Sequence, residues 1–135
     1  MDLTKAMFIS AAGMRVQNAR MKVIAENMAN ADSLSTQPGG DPYRRKVIAF
    51  ANEMDRQLDA RVVQVKRIST DNGPFTVEYN PSSPAANEEG YVKLPNVNTL
   101  IELSDMREAQ RTFEANLTII ESVKSMMART VDLLR

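Results

Sequence analysis

Two long stretches without proline, one towards each end of the 135-residue chain, constrain most of what it can fold into. From about Leu3 to Ala31, Met7, Met14, Met21 and Met28 recur every seven residues, and Leu3, Ser10, Gln17, Ile24 and Ala31 share the heptad. From Leu103 onward, Met106, Phe113, Leu117, Ile120, Met127, Val131 and Leu134 alternate spacings of three and four, with Gln110 and Lys124 filling the two open positions. Apolar residues at these intervals form a stripe along one helix face, so both ends are predicted as amphipathic helices pairing as a coiled coil. An ordinary antiparallel hairpin of helices would satisfy the same stripes. Asp2 or Thr4 is a suitable cap for the first helix, and Thr99 or Ser104 for the second. The second would span ~30–35 residues, or ~45–50 Å. Gly13 costs about 1 kcal/mol inside a helix, which close packing of a neighbouring backbone would offset. Asn27 and Asn30 suit helix termination, because their amides can bond the last free carbonyls and Asn tolerates the left-handed conformation.

Residues 32 to 96 hold all six prolines and four of the five glycines. Here the hydrophobic period shifts towards two. Arg45–Phe50, Arg61–Lys66, Phe75–Tyr79 and Tyr91–Leu94 read as short strands. Asp71-Asn72-Gly73-Pro74 is a turn signal that would join the second and third strands as a hairpin, and Asn52 to Ala60 reads as a helical turn or loop. The predicted fold is therefore mainly α with a small β insertion. Residues 1–32 and 97–135 form the terminal-helix core, and 33–96 form a loop and β-rich insertion.

Composition removes most chemistry. Without cysteine or histidine there is no disulfide, thiolate metal site, zinc site or Ser-His triad. Formal charge is zero, so the electrostatic footprint of a nucleic-acid binder is missing. No stretch approaches the ~20 apolar residues of a membrane span, and the N-terminus does not read as a cleavable signal. Glu88-Glu89 is the one adjacent carboxylate pair, and it reads as a solvated loop rather than a catalytic dyad. Gly39-Gly40-Asp41-Pro42 lacks the remainder of a phosphate loop. No enzyme activity, cofactor or metal is expected. Nine methionines, and only seven aromatic residues with no tryptophan, indicate a thin core with adaptable helix contacts.

Several segments resemble the flagellar axial protein family of rod and hook subunits. Ser10-Ala11-Ala12-Gly13-Met14-Arg15-Val16-Gln17 and Val23-Ile24-Ala25-Glu26-Asn27-Met28-Ala29-Asn30-Ala31 are similar to its shared N-terminal stretch. Pro38 to Lys46 and Gly90 to Asn98 look like the rod members' loop leaving the first helix and their entry into the last. Phe113-Glu114-Ala115-Asn116 matches the C-terminal signature, which more often begins with Tyr. On this resemblance Ala12, Gly13, Met14, Gln17, Asn27, Asn30, Glu114 and Asn116 are motif residues.

The resemblance implies a non-catalytic subunit of the basal-body rod in the periplasm, polymerising through its terminal helices into a hollow shaft. Seam packing would fall to Met7, Met14, Met21, Ile24, Met28, Leu103, Met106, Phe113, Leu117, Ile120, Met127, Val131 and Leu134. Implied partners are copies of the chain, other rod subunits, the adapter between membrane ring and rod, and the flagellar type III export apparatus. Tyr43, Arg44 and Arg45, an aromatic beside fixed cations, are expected to contact an adjacent subunit. A non-polymerising cytoplasmic adaptor or export chaperone is the alternative, and presence in purified basal bodies separates the two. A carboxylate-dependent hydrolase acting through Glu88 and Glu89 is a third.

Overall fold

The computed structural model describes residues 2–134. Its elements run α1 (Leu3–Ala29), β1 (Lys46–Asp55), β2 (Ala60–Thr70), β3 (Thr76–Tyr79), β4 (Tyr91–Leu94) and α2 (Thr99–Leu133). Two long helices flanking a small β section match the class expected from the heptads and the proline-rich middle.

Helix ends show which polar residues won the capping positions. Asp2 Oδ1 accepts the Thr4 N–H at 2.9 Å and starts α1. Asn30 Nδ2 donates to the Glu26 carbonyl at 2.9 Å, covering one of the last free acceptors. The conformation there is not left-handed, since Asp59 is the one non-glycine residue with positive φ among those described. At the start of α2 the cap is Asn98, neither Thr99 nor Ser104. Asn98 Oδ1 accepts the N–H groups of Leu100 and Ile101 at 3.0 and 3.3 Å, because Asn98 lies just before the first helical residue.

The strands form two separate two-stranded sheets, β1–β2 and β3–β4. This overturns the expected hairpin between the second and third strands. The chain instead reverses at 56–59, where Asp55 Oδ1 accepts the N–H groups of Gln57 and Leu58 and Asp59 adopts φ 47°. Asn52 to Asp55 continue β1, so only the turn itself is irregular. Asp71–Gly73 bends the chain from one sheet to the next. There Asp71 Oδ1 accepts the Gly73 N–H at 2.8 Å, and side chains elsewhere take the carbonyls of Asp71 and Gly73.

Strands β3 and β4 are antiparallel, pairing Thr76 with Leu94, Val77 with Lys93, Glu78 with Val92 and Tyr79 with Tyr91. Gly90 has φ 84°, and a Cβ there would lie 2.9 Å from the Tyr79 ring. Both facts require glycine at that position.

Chain contacts divide the protein into two compact units. The first comprises Met1–Met21, Ile48–Arg67 and Arg107–Arg135. Its buried residues are small: Ser10, Ala12, Val16, Val62, Ala109 and Val123. Within it, Gly13 lies against Asn116, and Arg20 reaches Glu108 at 3.5 Å. Seven residues forward on α1 correspond to eight backward on α2, so these helix segments run antiparallel. The second unit comprises Lys22–Val47 and Ile68–Met106. Its core combines Val23, Ile24, Ala85 and Val92 with the buried polar residues Asn27 and Glu102.

A Cβ on Gly13 would sit 3.0–3.2 Å from the Asn116 amide. The close approach anticipated for Gly13 is thus made to a side chain of α2. Gly13→Leu should destabilise the protein by ~1–3 kcal/mol through overpacking. Truncating the opposing residue, Asn116→Ala, should restore part of that loss. Urea unfolding of the two single variants and the double variant measures the coupling, and strictly additive effects would exclude the contact.

Candidate functional site

Asn27 is the residue on which the second unit is organised. It lies inside α1, buried to 1% exposure, so it does not terminate the helix. Instead its amide holds the start of β1. Asn27 Oδ1 accepts the Lys46 N–H at 2.8 Å, while its Nδ2 donates to the Lys46 carbonyl at 2.8 Å. A side-chain amide offers N–H and C=O groups side by side, as a peptide unit does, and here it replaces a neighbouring strand along the edge of β1. Oδ1 also accepts from the Tyr43 hydroxyl at 2.9 Å, and Nδ2 donates to Glu102 Oε2 at 3.2 Å.

Glu102 belongs to the first turn of α2, and its side chain is 1% exposed. A carboxylate in that position needs a cation. Arg45 supplies it, with Nε 2.5 Å from Glu102 Oε1. The remaining guanidinium nitrogens reach Asp71 Oδ2 at 3.7 Å and Asp105 Oδ2 at 3.8 Å. Arg45 also donates its backbone N–H to Asn96 Oδ1 at 2.8 Å. Lys46 extends outward and pairs with Glu26 at 2.9 Å. The hydrogen bond and charge of Lys46 hold Glu26 below the usual carboxylate value, and the same bond raises Lys46. Both ends are about two-fifths exposed, so solvent screening keeps this pair weak.

Arg44 points the other way. Its guanidinium donates to the carbonyls of Asp71 and Gly73 at 3.3 Å and lies 4.2 Å from the Phe75 ring centroid, a cation–π contact. Tyr43, Arg44 and Arg45, expected to meet a neighbouring subunit, therefore direct their polar groups into their own chain. The arrangement is a structural clasp. Among the described residues no group of three or more acidic side chains is disposed to hold a metal.

The seam residues fall into two sets. Ile24 is buried, and Met7, Met14, Met21, Met28, Met106, Phe113 and Ile120 are half-buried. Leu103, Leu117, Met127, Val131 and Leu134 are exposed at 38, 40, 36, 60 and 84%. The single chain covers Glu102, Ala109, Asn116 and Val123 of α2 beside Met106, Phe113 and Ile120, so the expected seam is covered along one side only. Of the motif residues, Ala12 is buried, Gly13, Met14, Gln17, Asn30 and Asn116 are half-buried, and Glu114 is exposed. Glu102, Asn96, Asp71 and Lys46 were missed by sequence reasoning. The available signal was a heptad of small and polar residues beside the apolar one, and apolar patterning alone overlooks it.

Comparison with known proteins bears on this arrangement. A family model described as "Flagellar basal body rod FlgEFG protein C-terminal" matches residues 88–133, a span that contains all of α2. The flagellar basal-body rod protein FlgC of Agrobacterium fabrum is 46% identical over 133 residues, covering 98% of this chain and 96% of that protein. FlgC of Salmonella typhimurium is 35% identical over 133 residues, covering 98% of each. FlgC of Bacillus subtilis is 33% identical over 140 residues, covering 93% of each.

Two outcomes test the clasp. Arg45→Ala should cost ~3–5 kcal/mol, because it leaves the Glu102 carboxylate buried without a cation. Adding Glu102→Leu should recover much of that loss in the same unfolding assay. Burial also raises the Tyr43 hydroxyl above its ordinary value near 10. As pH rises past that value the unfolded chain releases the proton first, so stability falls with pH in that window. A fraction of the tyrosinate absorbance should titrate late and disappear in Tyr43→Phe. An unchanged titration curve in that variant would contradict the assignment.

Proposed function

The chain belongs to the FlgC family of flagellar basal-body rod proteins, and we propose that it polymerises through its two terminal helices, paired as a coiled coil in the assembled rod. It is a structural subunit of the flagellar basal body, not an enzyme, and it assembles with other rod components. The proposal concerns how.

The observation supporting it is the apolar face that α2 leaves in solvent. Leu103, Leu117 and Val131 are spaced by fourteen residues, Met127 and Leu134 by seven, and all are exposed in the single chain. Ile119 and Leu133 leave apolar area exposed on another side of α2, as Phe8 and Ile9 do on α1. Burying one such side chain fully is worth about 1.5–3 kcal/mol. These five are already partly covered, so together they gain only about 4–8 kcal/mol, while association costs about 4–15 kcal/mol of lost freedom. One such contact roughly breaks even. A subunit touching several neighbours accumulates contacts, so a marginal pair becomes a stable array. Head-to-tail contacts that do not close generate an open rod, not a ring.

On this reading copies of the chain are partners. By the family resemblance, so are the adapter joining rod to membrane ring and the flagellar type III export apparatus. The segment from Asp32 to Lys46 serves assembly by being held rigid, through Tyr43 on Asn27 and Arg45 on Glu102, so that it presents one fixed surface.

Leu117→Asp and Val131→Asp test polymerisation separately from folding. Leu117 is 40% and Val131 60% exposed in the single chain, so each change should cost only about 1 kcal/mol of unfolding free energy, far less than a buried unpaired charge. Each should nevertheless remove the subunit from purified basal bodies and abolish swimming. Wild-type swimming in either variant would remove the helix face from the assembly interface.

A further inference from the structure

Each sheet has only two strands, so every strand has an outer edge, and the edges are treated differently. In the β1–β2 sheet the Asn27 amide covers the β1 edge at Lys46. In the β3–β4 sheet the β4 edge is covered at Tyr91, whose carbonyl accepts the Asn87 N–H at 2.9 Å and whose N–H donates to Asn87 Oδ1 at 2.8 Å. Among the described residues no strand lies along the other side of β2 or β3.

Antiparallel geometry says which groups those two edges present. Asn80 donates its N–H to the Gly90 carbonyl at 2.9 Å, so this pair is hydrogen-bonded. Alternation then makes Glu78–Val92 and Thr76–Leu94 hydrogen-bonded too. Val77 and Tyr79 direct both N–H and C=O away from β4. The Asp71 N–H donates to the Arg45 carbonyl at 2.8 Å, which turns odd-numbered residues at this end of β2 towards β1. Lys66 and Ile68 therefore face outward.

What blunts these edges in a single chain is charge, Glu78 on β3 and Lys66 and Arg67 on β2. All four residues of β3 are exposed, and Thr-Val-Glu-Tyr is strand-forming sequence without proline, lysine or glycine. Gln64 to Ile68 of β2 are likewise all exposed. The two edges also carry opposite charge. β2 contains Arg61, Lys66 and Arg67 and no acidic residue. The β3–β4 ribbon carries Glu78 at mid-strand and Glu88 and Glu89 in its connecting loop, and its Lys93 is already paired with Asp41 at 3.0 Å.

We propose that β3 of one copy pairs, antiparallel and edge to edge, with β2 of a second copy, so that rod subunits are joined by a strand contact as well as by helices. The inference rests on the polymerising reading above. The register that sets Glu78 opposite Arg67 of the second copy hydrogen-bonds Val77 to Ile68 and Tyr79 to Lys66. It therefore uses the outward groups of both edges and matches an apolar pair, an ion pair and a cation with an aromatic ring. Pairing β3 with β3 about Glu78 would oppose like charges. Because β2 meets β3, the contact is heterologous, the kind that repeats along an open rod when its rotation does not close.

The chain has no cysteine, so introduced thiols report this contact cleanly. Glu78 and Arg67 would form a non-hydrogen-bonded cross-strand pair, with Cα atoms ~4.5 Å apart, within disulfide range. Cells expressing full-length E78C/R67C are oxidised with copper phenanthroline, and basal bodies are run on a non-reducing gel. A ladder of dimers, trimers and larger species, absent from either single variant, is expected. A ladder that stops at dimers and appears with E78C alone overturns the heterologous pairing. Double-variant chains incorporated without any inter-chain bond overturn the strand contact while leaving the rod reading intact. A wild-type chain absent from basal bodies overturns both.

Two further variants guard against disruption by the thiols. Val77→Pro removes a donor that points away from β4, so the circular dichroism spectrum should be unchanged while incorporation falls. Incorporation at the wild-type level refutes the pairing. Glu78→Arg should lose incorporation and regain it when Arg67→Glu is added to the same chain. Failure of that exchange to restore incorporation also refutes it.

Discussion

The carboxylate of Glu102, buried at the first turn of α2, is the constraint from which the rest of the second unit follows. An ionised group with 1% of its side chain exposed is tolerable only with a cation and further hydrogen bonds. Arg45 and Asn27 supply them, one from the start of β1 and one from α1. Once Asn27 faces Glu102, its other bonds fall on Lys46 and Tyr43, and the loop leaving α1 has a single path. This accounts for a connection well beyond the usual four to six residues being ordered. It is long because it must carry Tyr43, Arg45 and Lys46 around to the same amide.

The helices divide their labour by heptad. Small and polar positions meet within the chain, as Gly13 with Asn116 in the first unit and Asn27 with Glu102 in the second. Larger apolar positions, Leu103, Leu117 and Val131 among them, are left towards solvent. A monomer meant to remain single would do the reverse, since exposed leucines gain nothing in water. Small residues let two backbones approach closely and spend little apolar area on the intramolecular contact. The area saved is available to neighbours.

Strand edges follow the same division. Side-chain amides of Asn27 and Asn87 close the β1 and β4 edges against further pairing. The β2 and β3 edges remain open and oppositely charged. In a monomer such edges are hazards, whereas in a subunit that joins other rod components they are usable surface.

Much of the architecture was legible because it depends on local periodicity. The heptads of Met7 to Met28 and Leu103 to Leu134 place both helices, and the prolines and glycines between 32 and 96 place the β section. Capping by Asp2 was also legible, since it needs only the next two residues. Strand pairing was not. Asp71-Asn72-Gly73-Pro74 has hairpin composition, yet Arg44 and Asn96 take its carbonyls, and no local pattern announces a partner 25 or more residues away. Asn27 was read as a helix terminator because Asn near a helix end usually is one. Its real partners, Lys46 and Glu102, lie 19 and 75 residues on in the chain. Tyr43, Arg44 and Arg45 have the composition of a contact surface in sequence, and only the positions of Asn27, Phe75 and Glu102 show their polar groups already engaged. Sequence alone determined the element types, the apolar stripes and the excluded chemistry, because each depends on spacing or residue type. Tertiary structure decided which stripe is covered, which strands pair and where the buried charge sits, because those depend on contacts between residues far apart in the chain.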